Sequence, residues 1–593
     1  MPEILRRDFL NNALLGAGAA LLGMPAPAGA ADRYTGYAGV GDYARSNGDP
    51  WPIVEVGHRL RDGKYTGGPI TDTGETFDLI IVGGGLSGLG TAYYYGKHDR
   101  SRRCLILENH AIFGGHCKQN EFLVDGQRLI GPQAANDFGI PRRGSGQMDD
   151  LFTELNIPRE FAWAEWPAGL DRLRIPRDNY SHMDGINDTQ VDVGYFFGGK
   201  WARNIFADDL KTAPLSEPVK RDLLKWRSTT GGNEAVQRHL DSITYKQYIE
   251  GELGLGPEVT KFVEPITGLI CGASPDAVCA RAGHNLVRPR NAAPGISFPG
   301  GNTTFARHLV KALAPDAIPG RLDFADVLSG SVDFRALDRR DEPARIRLGA
   351  TVVRVEHEGS GVAVVYESGG KLYRSRASAA VAASPGWLNR HILVDLPEPL
   401  RTAYSAFTYA PALSVNVALR NWRFLYKLRA PAVRYFDGEF GWSCNIRQSM
   451  TTEGFAPPLH PDKPVVLTFY TGIYERGKSP AEQGEAGRKR LLSTPYAEYE
   501  RLIRKQMTTL FADAGFRASR DIAGIVLNRW GHARVIQPPG FYYGTDGKPS
   551  PRQIVEAGYG KIVIAHSELN GHQNATGALA QGKRAAEQAA KIA

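Results

Sequence analysis

Three glycines carry the first chemical signal, Gly83-x-Gly85-x-x-Gly88 in "FDLIIVGGGLSGLGTAYYYGKH". Gly83 permits a tight turn after a strand, Gly85 lets the backbone approach a pyrophosphate, and Gly88 lets the next helix pack closely on its sheet. The N-terminus of that helix turns free N–H groups and a positive dipole end toward the phosphates. Twenty residues after Gly88, Glu108 ends the apolar run "RRCLILEN". A carboxylate there accepts hydrogen bonds from ribose hydroxyls. Strand, glycines, helix, strand and acid in this order read as a dinucleotide site.

Six residues past Glu108 come Gly114 and Gly115, which let the chain pass beside the dinucleotide. FAD proteins of the glutathione-reductase type often carry this spacing. Far downstream, "KIVIAHSELNGHQNATGALAQGKRAAEQA" reads as a buried strand, a polar loop and an Ala-rich helix. Glu568, or backbone N–H groups near it, would contact a ribityl chain. Asn574 stands near the N-cap of the helix. Aimed at a flavin, that helix end places positive potential where negative charge gathers on reduction.

The elements that must hold these residues are large. The 593 residues predict more than one structural unit and a sizeable core. Hydrophobic content of 42% and charged content of 23% are those of an ordinary globular protein. A net charge of +8, scattered and not run together, gives no sign of nucleic-acid binding. The five cysteines, Cys104, Cys117, Cys271, Cys279 and Cys444, form no C-x-x-C and suggest no zinc site. They read as buried thiols, with a Cys271–Cys279 bridge as the one alternative. No metal site and no covalent haem motif is expected.

"LRRDFLNN" with its Arg6-Arg7 pair, a short apolar run and Ala28-Gly29-Ala30 read as a twin-arginine export signal over 1–30. The run is too short for a stable membrane anchor. The expectation is a periplasmic enzyme exported folded, with a tightly held cofactor. Residues 31–75 read as an extended leader. The dinucleotide domain is assigned to 76–140, 290–390 and 551–593, and a substrate domain to 141–289 and 391–550. Residues 145–260 read as mostly helical, 350–383 as an antiparallel meander, and 496–514 as a long amphipathic helix. The fold class is α/β, a discontinuous Rossmann-like FAD-binding domain with an inserted α+β substrate domain.

The order of glycine loop, Glu108, Gly114-Gly115, "SFPGGNTTFARHLVKAL", "ATVVRVEHEG", "LNRWGHA" and the closing strand–loop–helix resembles the flavin amine oxidase superfamily. The "GVGDYARSNGDPWPIVEVGHRLRDGKY" leader, "GGHCKQNEF" and "NRWGHA" look more closely like bacterial spermidine-dehydrogenase-like proteins. The resemblance implies non-covalent FAD, a small-molecule amine substrate such as a polyamine, an external electron acceptor and, in some members, non-covalent haem b. It implies Val352 and Val353 on the adenine side. Trp530 and His532 would reach the flavin edge, with Gln133 and Asn136 near the isoalloxazine. Tyr542 and Tyr543 would supply half of an aromatic sandwich. Glu264, a carboxylate in the apolar stretch "FVEPITGLICG", would receive a remote ammonium or close a helix-end salt bridge.

Three features depart from the pattern. His116 follows Gly114-Gly115 where many amine oxidases place Arg, "AHSELNG" replaces the usual "AGE", and no cysteine near it could bind flavin covalently. Two other readings stay open: a flavin oxidoreductase acting on an amino acid or a C–C bond, and a non-catalytic FAD-binding protein.

Overall fold

The computed structural model describes residues 48–65, 68–99, 101–183, 186–286 and 295–593. The expected export signal lies outside these residues.

The first sheet is built around two long neighbours. Ile70–Val82 runs parallel to Lys371–Ala382, pairing Leu79 with Ala379 and Val82 with Ala382. On its other side it pairs with Cys104–Leu107, which pairs in turn with Ala344–Arg347. The strands Thr351–Glu358 and Gly361–Ser368 complete the expected meander on the first half of Lys371–Ala382. The last half of that strand takes Ile562–Ile564, in parallel, at Ala380 to Ala382. The closing segment therefore joins the sheet that carries the glycine loop. The buried runs Leu79–Val82 and Cys104–Leu107 are apolar without alternation because both faces are covered: Leu79, Ile81 and Ile106 pack in a cluster with helix residues Leu89, Leu309 and Leu579, and Ile80, Val82 and Leu105 in one with meander residues Val352, Val355 and Val364.

Helix Leu86–His98 lies on this sheet and packs against the closing helix Ala575–Ile592. Small residues on both make the approach possible. A β-carbon on Gly582 would meet the Ser87 carbonyl at 2.7 Å, and one on Gly90 would meet Leu579 at 3.3 Å.

The second sheet has seven strands in the order 522–535, 409–419, 465–472, 443–445, 432–436, 193–197 and 200–203. All neighbours are antiparallel except Ala432–Phe436 and Val193–Phe197. The region read as mostly helical thus also contributes two strands. Helix Tyr496–Phe511 buries Tyr499, Ile503, Met507 and Leu510 on one stripe, as its i, i+4 spacing requires.

One expectation needs correction, and one alternative is settled. The leader is not extended throughout: residues 51–61, "WPIVEVGHRLR", form a helix with Pro in its first turn, and the first strand already begins at Ile70. All five cysteines are free and buried, so the Cys271–Cys279 bridge is not formed. Among the described residues no helix is long and apolar enough to cross a membrane, and no His/Cys/Asp/Glu cluster could hold a metal ion.

Candidate active site

The glycine loop lies where Ile70–Val82 turns into helix Leu86–His98. Gly83 has φ +106°, a left-handed conformation that side chains resist. Gly85 is the N-cap of the helix and supplies no capping side chain, so the first-turn N–H groups stay available. Gly85 and Gly115 face each other with only backbone between them. A β-carbon on Gly115 would lie 3.2 Å from the Gly85 α-carbon. Gly114, at φ +112°, bonds its N–H to the Gly84 carbonyl at 2.8 Å and ties this second glycine pair to the loop.

Glu108 sits at the end of its strand, almost wholly buried. One oxygen accepts the Gly84 N–H at 2.7 Å; the other accepts the His110 N–H and Nδ1, both at 2.8 Å. Burial works against its charge, but the His110 contacts outweigh that and hold its pKa below the usual carboxylate value. The Ala350 N–H bonds to the Glu108 carbonyl at 2.9 Å, which brings strand Thr351–Glu358 and Val353 to this end.

The opposite end is the closing segment. Asn574 is the N-cap of Ala575–Ile592 and accepts the Gly577 N–H at 2.7 Å. The N-terminus beyond it is open, since Asn574 and Thr576 are exposed.

Between the two ends runs a line of contacts. His116 follows the Gly114-Gly115 pair, and its carbonyl accepts the Ala135 N–H at 3.0 Å. Its ring packs on Trp530, centroids 4.3 Å apart. Burial drives the His116 pKa to about 3, so the imidazole is neutral. Arg534, four residues along the strand from Trp530, donates to the Gln573 carbonyl at 2.7 Å, just before the closing helix.

Beside the Ala134–Asn136 loop stands a group of side chains that sequence reasoning missed and that would wall a substrate chamber. Tyr180 and Tyr470 lie 5.2 Å apart with their rings tilted by 39°. The Tyr470 hydroxyl donates to the Ala134 carbonyl at 2.7 Å and accepts from Asn136 at 3.1 Å. Burial raises both phenol pKa values. Arg447 stands by Tyr470, and Asn179 joins Asn445 at 2.8 Å behind them. No local motif announces this group, because its members come from segments three hundred residues apart in places.

Several candidates take positions other than expected. Gln133 and Asn136 have no exposed surface, so they back the chamber and do not line it. Gln133 accepts the Trp530 indole N–H on its carbonyl at 3.1 Å, and Asn136 orients Tyr470. Trp530 is itself buried, with Gly48 against its indole. His532 stacks on Trp387 at 4.1 Å and is kept neutral by burial, its pKa near 3. Glu568 is wholly buried and accepts the Gly386 N–H at 2.8 Å and the Tyr409 hydroxyl at 3.0 Å. It organises the loop, with no surface left for a ribityl contact.

The other corrections concern the substrate candidates. Tyr542 is buried under Arg281, 3.8 Å from its ring centroid, because the turn before it anchors its N–H to Asp241. Tyr543 lies 4.4 Å under Arg238. Neither stands by the Tyr180–Tyr470 pair. Glu264 is held by an ion pair with Arg476 and by the Tyr474 hydroxyl at 3.2 Å, so the salt-bridge alternative is the one formed.

The cradle fits FAD. Side-chain-free backbone meets the phosphates, a buried acid anchors the loop at the ribose end, and an open helix N-terminus waits where a flavin pyrimidine ring would lie.

Comparison with known proteins agrees. Residues 81–146 match the NAD(P)-binding Rossmann-like domain, and residues 334–590 match the flavin containing amine oxidoreductase family. Sarcosine oxidase subunit beta of Rhodobacter capsulatus is 32% identical over 94 residues, which are 16% of this chain and 21% of that subunit. In fold the chain is similar to cyclohexylamine oxidase of Brevibacterium oxydans, with TM-score 0.57, 17% identity, and 87% of this chain and 99% of that one covered. It is also similar to putrescine oxidase bound to putrescine, with TM-score 0.55, 15% identity, and 86% and 98% covered. With a divided cradle completed by the closing strand, loop and helix, residues 334–590 carry the match to the flavin containing amine oxidoreductase family.

Proposed function

We propose that the protein is an FAD-dependent oxidoreductase acting on a small-molecule amine in the Tyr180–Tyr470 chamber. One observation carries this: the chamber adjoins the line from Gly115 through His116 and Ala135 to the closing helix, where a flavin ring would end. When bound, FAD supplies the acceptor for hydride from a carbon next to nitrogen, and the resulting imine hydrolyses in water.

The chain's own residues do the rest. Gly83 to Gly88 and Gly114-Gly115 admit the phosphates, and Glu108 holds the loop that meets them. The N-terminus of Ala575–Ile592 stabilises negative charge at the far end. Tyr180 and Tyr470, packed on each other, would present one aromatic wall that excludes water and orients an amine. His116 and His532, neutral by burial, add no cation that would repel an ammonium.

The finer form of the proposal is a polyamine substrate, an external electron acceptor and a periplasmic location after twin-arginine export. The spermidine-dehydrogenase-like motifs support it, as does putrescine oxidase among the fold relatives. Glu264 gives it no support, since Arg476 already holds that carboxylate. Haem b rests on the same resemblance, and a Soret band in the purified protein tests it.

The test of the main reading is spectroscopic. Purified protein should be yellow, release FAD on denaturation, and bleach anaerobically with at least one amine. A colourless protein that cannot be loaded with FAD refutes the cofactor. A yellow protein that no amine bleaches refutes the activity.

A further inference from the structure

We infer that residues 48–50 form a strap that closes the cofactor cradle, with Asp49 a further cofactor-binding residue at its acid end. This rests on the cradle taking FAD.

The strap stands just ahead of helix 51–61 and touches three separate segments of the site. The Gly48 carbonyl accepts a hydrogen bond from Lys118 Nζ at 3.0 Å. Lys118 is buried, three residues past Gly115. Gly48 lies against the Trp530 indole so closely that a β-carbon would come within 2.3 Å of the ring. Asp49 donates its N–H to the Arg529 carbonyl at 3.3 Å. Its carboxylate has one oxygen 3.4 Å from His110 Nε2, and the other ring nitrogen of His110 meets Glu108 at 2.8 Å. The acid end, the segment after the second glycine pair and strand Ile522–Val535 are thus tied together by three consecutive residues.

Asp49 has what a ribose at this end requires. Burial works against its charge, but His110, Lys118 and His116 outweigh that and hold its pKa below the usual carboxylate value. Its second oxygen has no donor among the described residues, and 28% of its side chain stays exposed. Glu108 is 4% exposed and already accepts the Gly84 and His110 N–H groups. Asp49 therefore has more oxygen surface left for a ribose hydroxyl than the acid on the strand.

The strap is also free to lift. Of the helix behind it only Leu60 is buried. A β-carbon on Gly57 would meet Trp387 at 3.4 Å, an ordinary contact with the ring that stacks on His532. A segment with so few buried apolar contacts opens locally while both sheets stay folded. Closed, it excludes water from the acid end and bars the exit of a dinucleotide.

The test uses the full FAD-loaded protein and follows the rise of flavin fluorescence as FAD leaves on dilution. D49A and G48V should release FAD about tenfold faster, as loss of one charge-assisted hydrogen bond would give, with D49N between them and the wild type. FAD should also enter the FAD-free variants faster, by a smaller factor, because a lifted strap opens the path both ways. The calorimetric Kd of ADP, which probes the acid end alone, should rise severalfold in D49A. Circular dichroism and melts of the FAD-free proteins report folding; a residue that merely supports the fold would lower the melts and leave both rates alone. The inference falls if D49A and G48V release FAD as the wild type does, if their melts alone change, or if they bind FAD more tightly, which would put the strap in the cofactor's place. A wild type that holds neither FAD nor ADP overturns the cofactor reading itself, a result distinct from any change in the variants' rates.

Discussion

Three glycines of one helix should respond to the same substitution in three different ways. In Leu86–His98, a β-carbon on Gly88 would lie 1.9 Å from the Gly83 carbonyl oxygen and 3.3 Å from Ile81. The first contact is backbone, so no rotamer change relieves it; loop and helix must separate by roughly 1 Å in a close-packed interior. Overpacking of this kind costs ~3 kcal/mol, the upper end of its usual range, against a helix-propensity gain of ~1 kcal/mol. Set against an unfolding entropy of about 2.1 cal/mol/K per residue in a chain of this length, the net loss of ~2 kcal/mol corresponds to a Tm drop of about 2 °C. Because the displaced atoms carry the phosphate-binding loop, G88A should also lose flavin, with the FAD Kd rising at least tenfold. Gly90 meets the end of the Leu579 side chain at 3.3 Å, which can turn aside, so G90A should be near neutral. Gly96 meets nothing within 4 Å, and G96A should gain ~0.5–1 kcal/mol. Flavin-to-protein absorbance ratios and thermal melts of the three variants decide it. A G88A protein that binds FAD stoichiometrically and melts like G96A refutes the reasoning.

Three more perturbations follow from the geometry. N574A removes the side-chain acceptor of the Gly577 N–H and should cost ~1 kcal/mol, with weaker FAD binding measured by fluorescence titration. His182 is wholly buried, neither ring nitrogen has a partner among the described residues, and burial lowers its pKa to about 3. The unfolded chain therefore binds more protons between pH 6.5 and 3, and stability is lost as pH falls through that window. H182F should remove ~2 kcal/mol of that loss by pH 5, seen as a shallower dependence of urea midpoint on pH; an unchanged slope would count against it. E568Q removes an acceptor from either the Gly386 N–H or the Tyr409 hydroxyl and should cost ~1–3 kcal/mol, read from thermal melts of the FAD-free protein, where a purely ligand-binding residue would have no effect.

The glycine loop and its buried acid were legible because their logic is local. Gly83, Gly85, Gly88 and Glu108 belong to one strand–turn–helix–strand unit, and their spacing alone determines what backbone can reach. The closing helix was legible for a similar reason, since Asn574 before an Ala-rich run is a cap in almost any context. The Tyr180–Tyr470 group was not. Tyr180, Arg447, Tyr470 and Arg534 meet only because the second sheet pairs 443–445 with 465–472 and 409–419 with 522–535. Tyr542 misled because a turn signal says that the chain bends and not which way the next ring points; Asp241 fixes its backbone so that the ring lies under Arg281. Gln133 and Asn136 stand in the right loop but on its inner side, a distinction of facing that residue type does not encode.

The pairing of Ile562–Ile564 with Lys371–Ala382, and the seating of Gly582 against Ser87 and Gly90, have a consequence for the order in which the molecule is made. The glycine loop leaves the ribosome hundreds of residues before the helix that completes its site, so the nascent chain carries half a cradle for most of its synthesis. Contacts this distant in sequence form slowly. Until they form, the small-residue face of Leu86–His98 that later receives Ala575–Ile592 is open to water and to other chains. Cofactor capture is thus a late event, coupled to the docking of two helices that share almost no neighbours along the chain. Free FAD during refolding should therefore act on the final docking step and leave the early collapse unchanged.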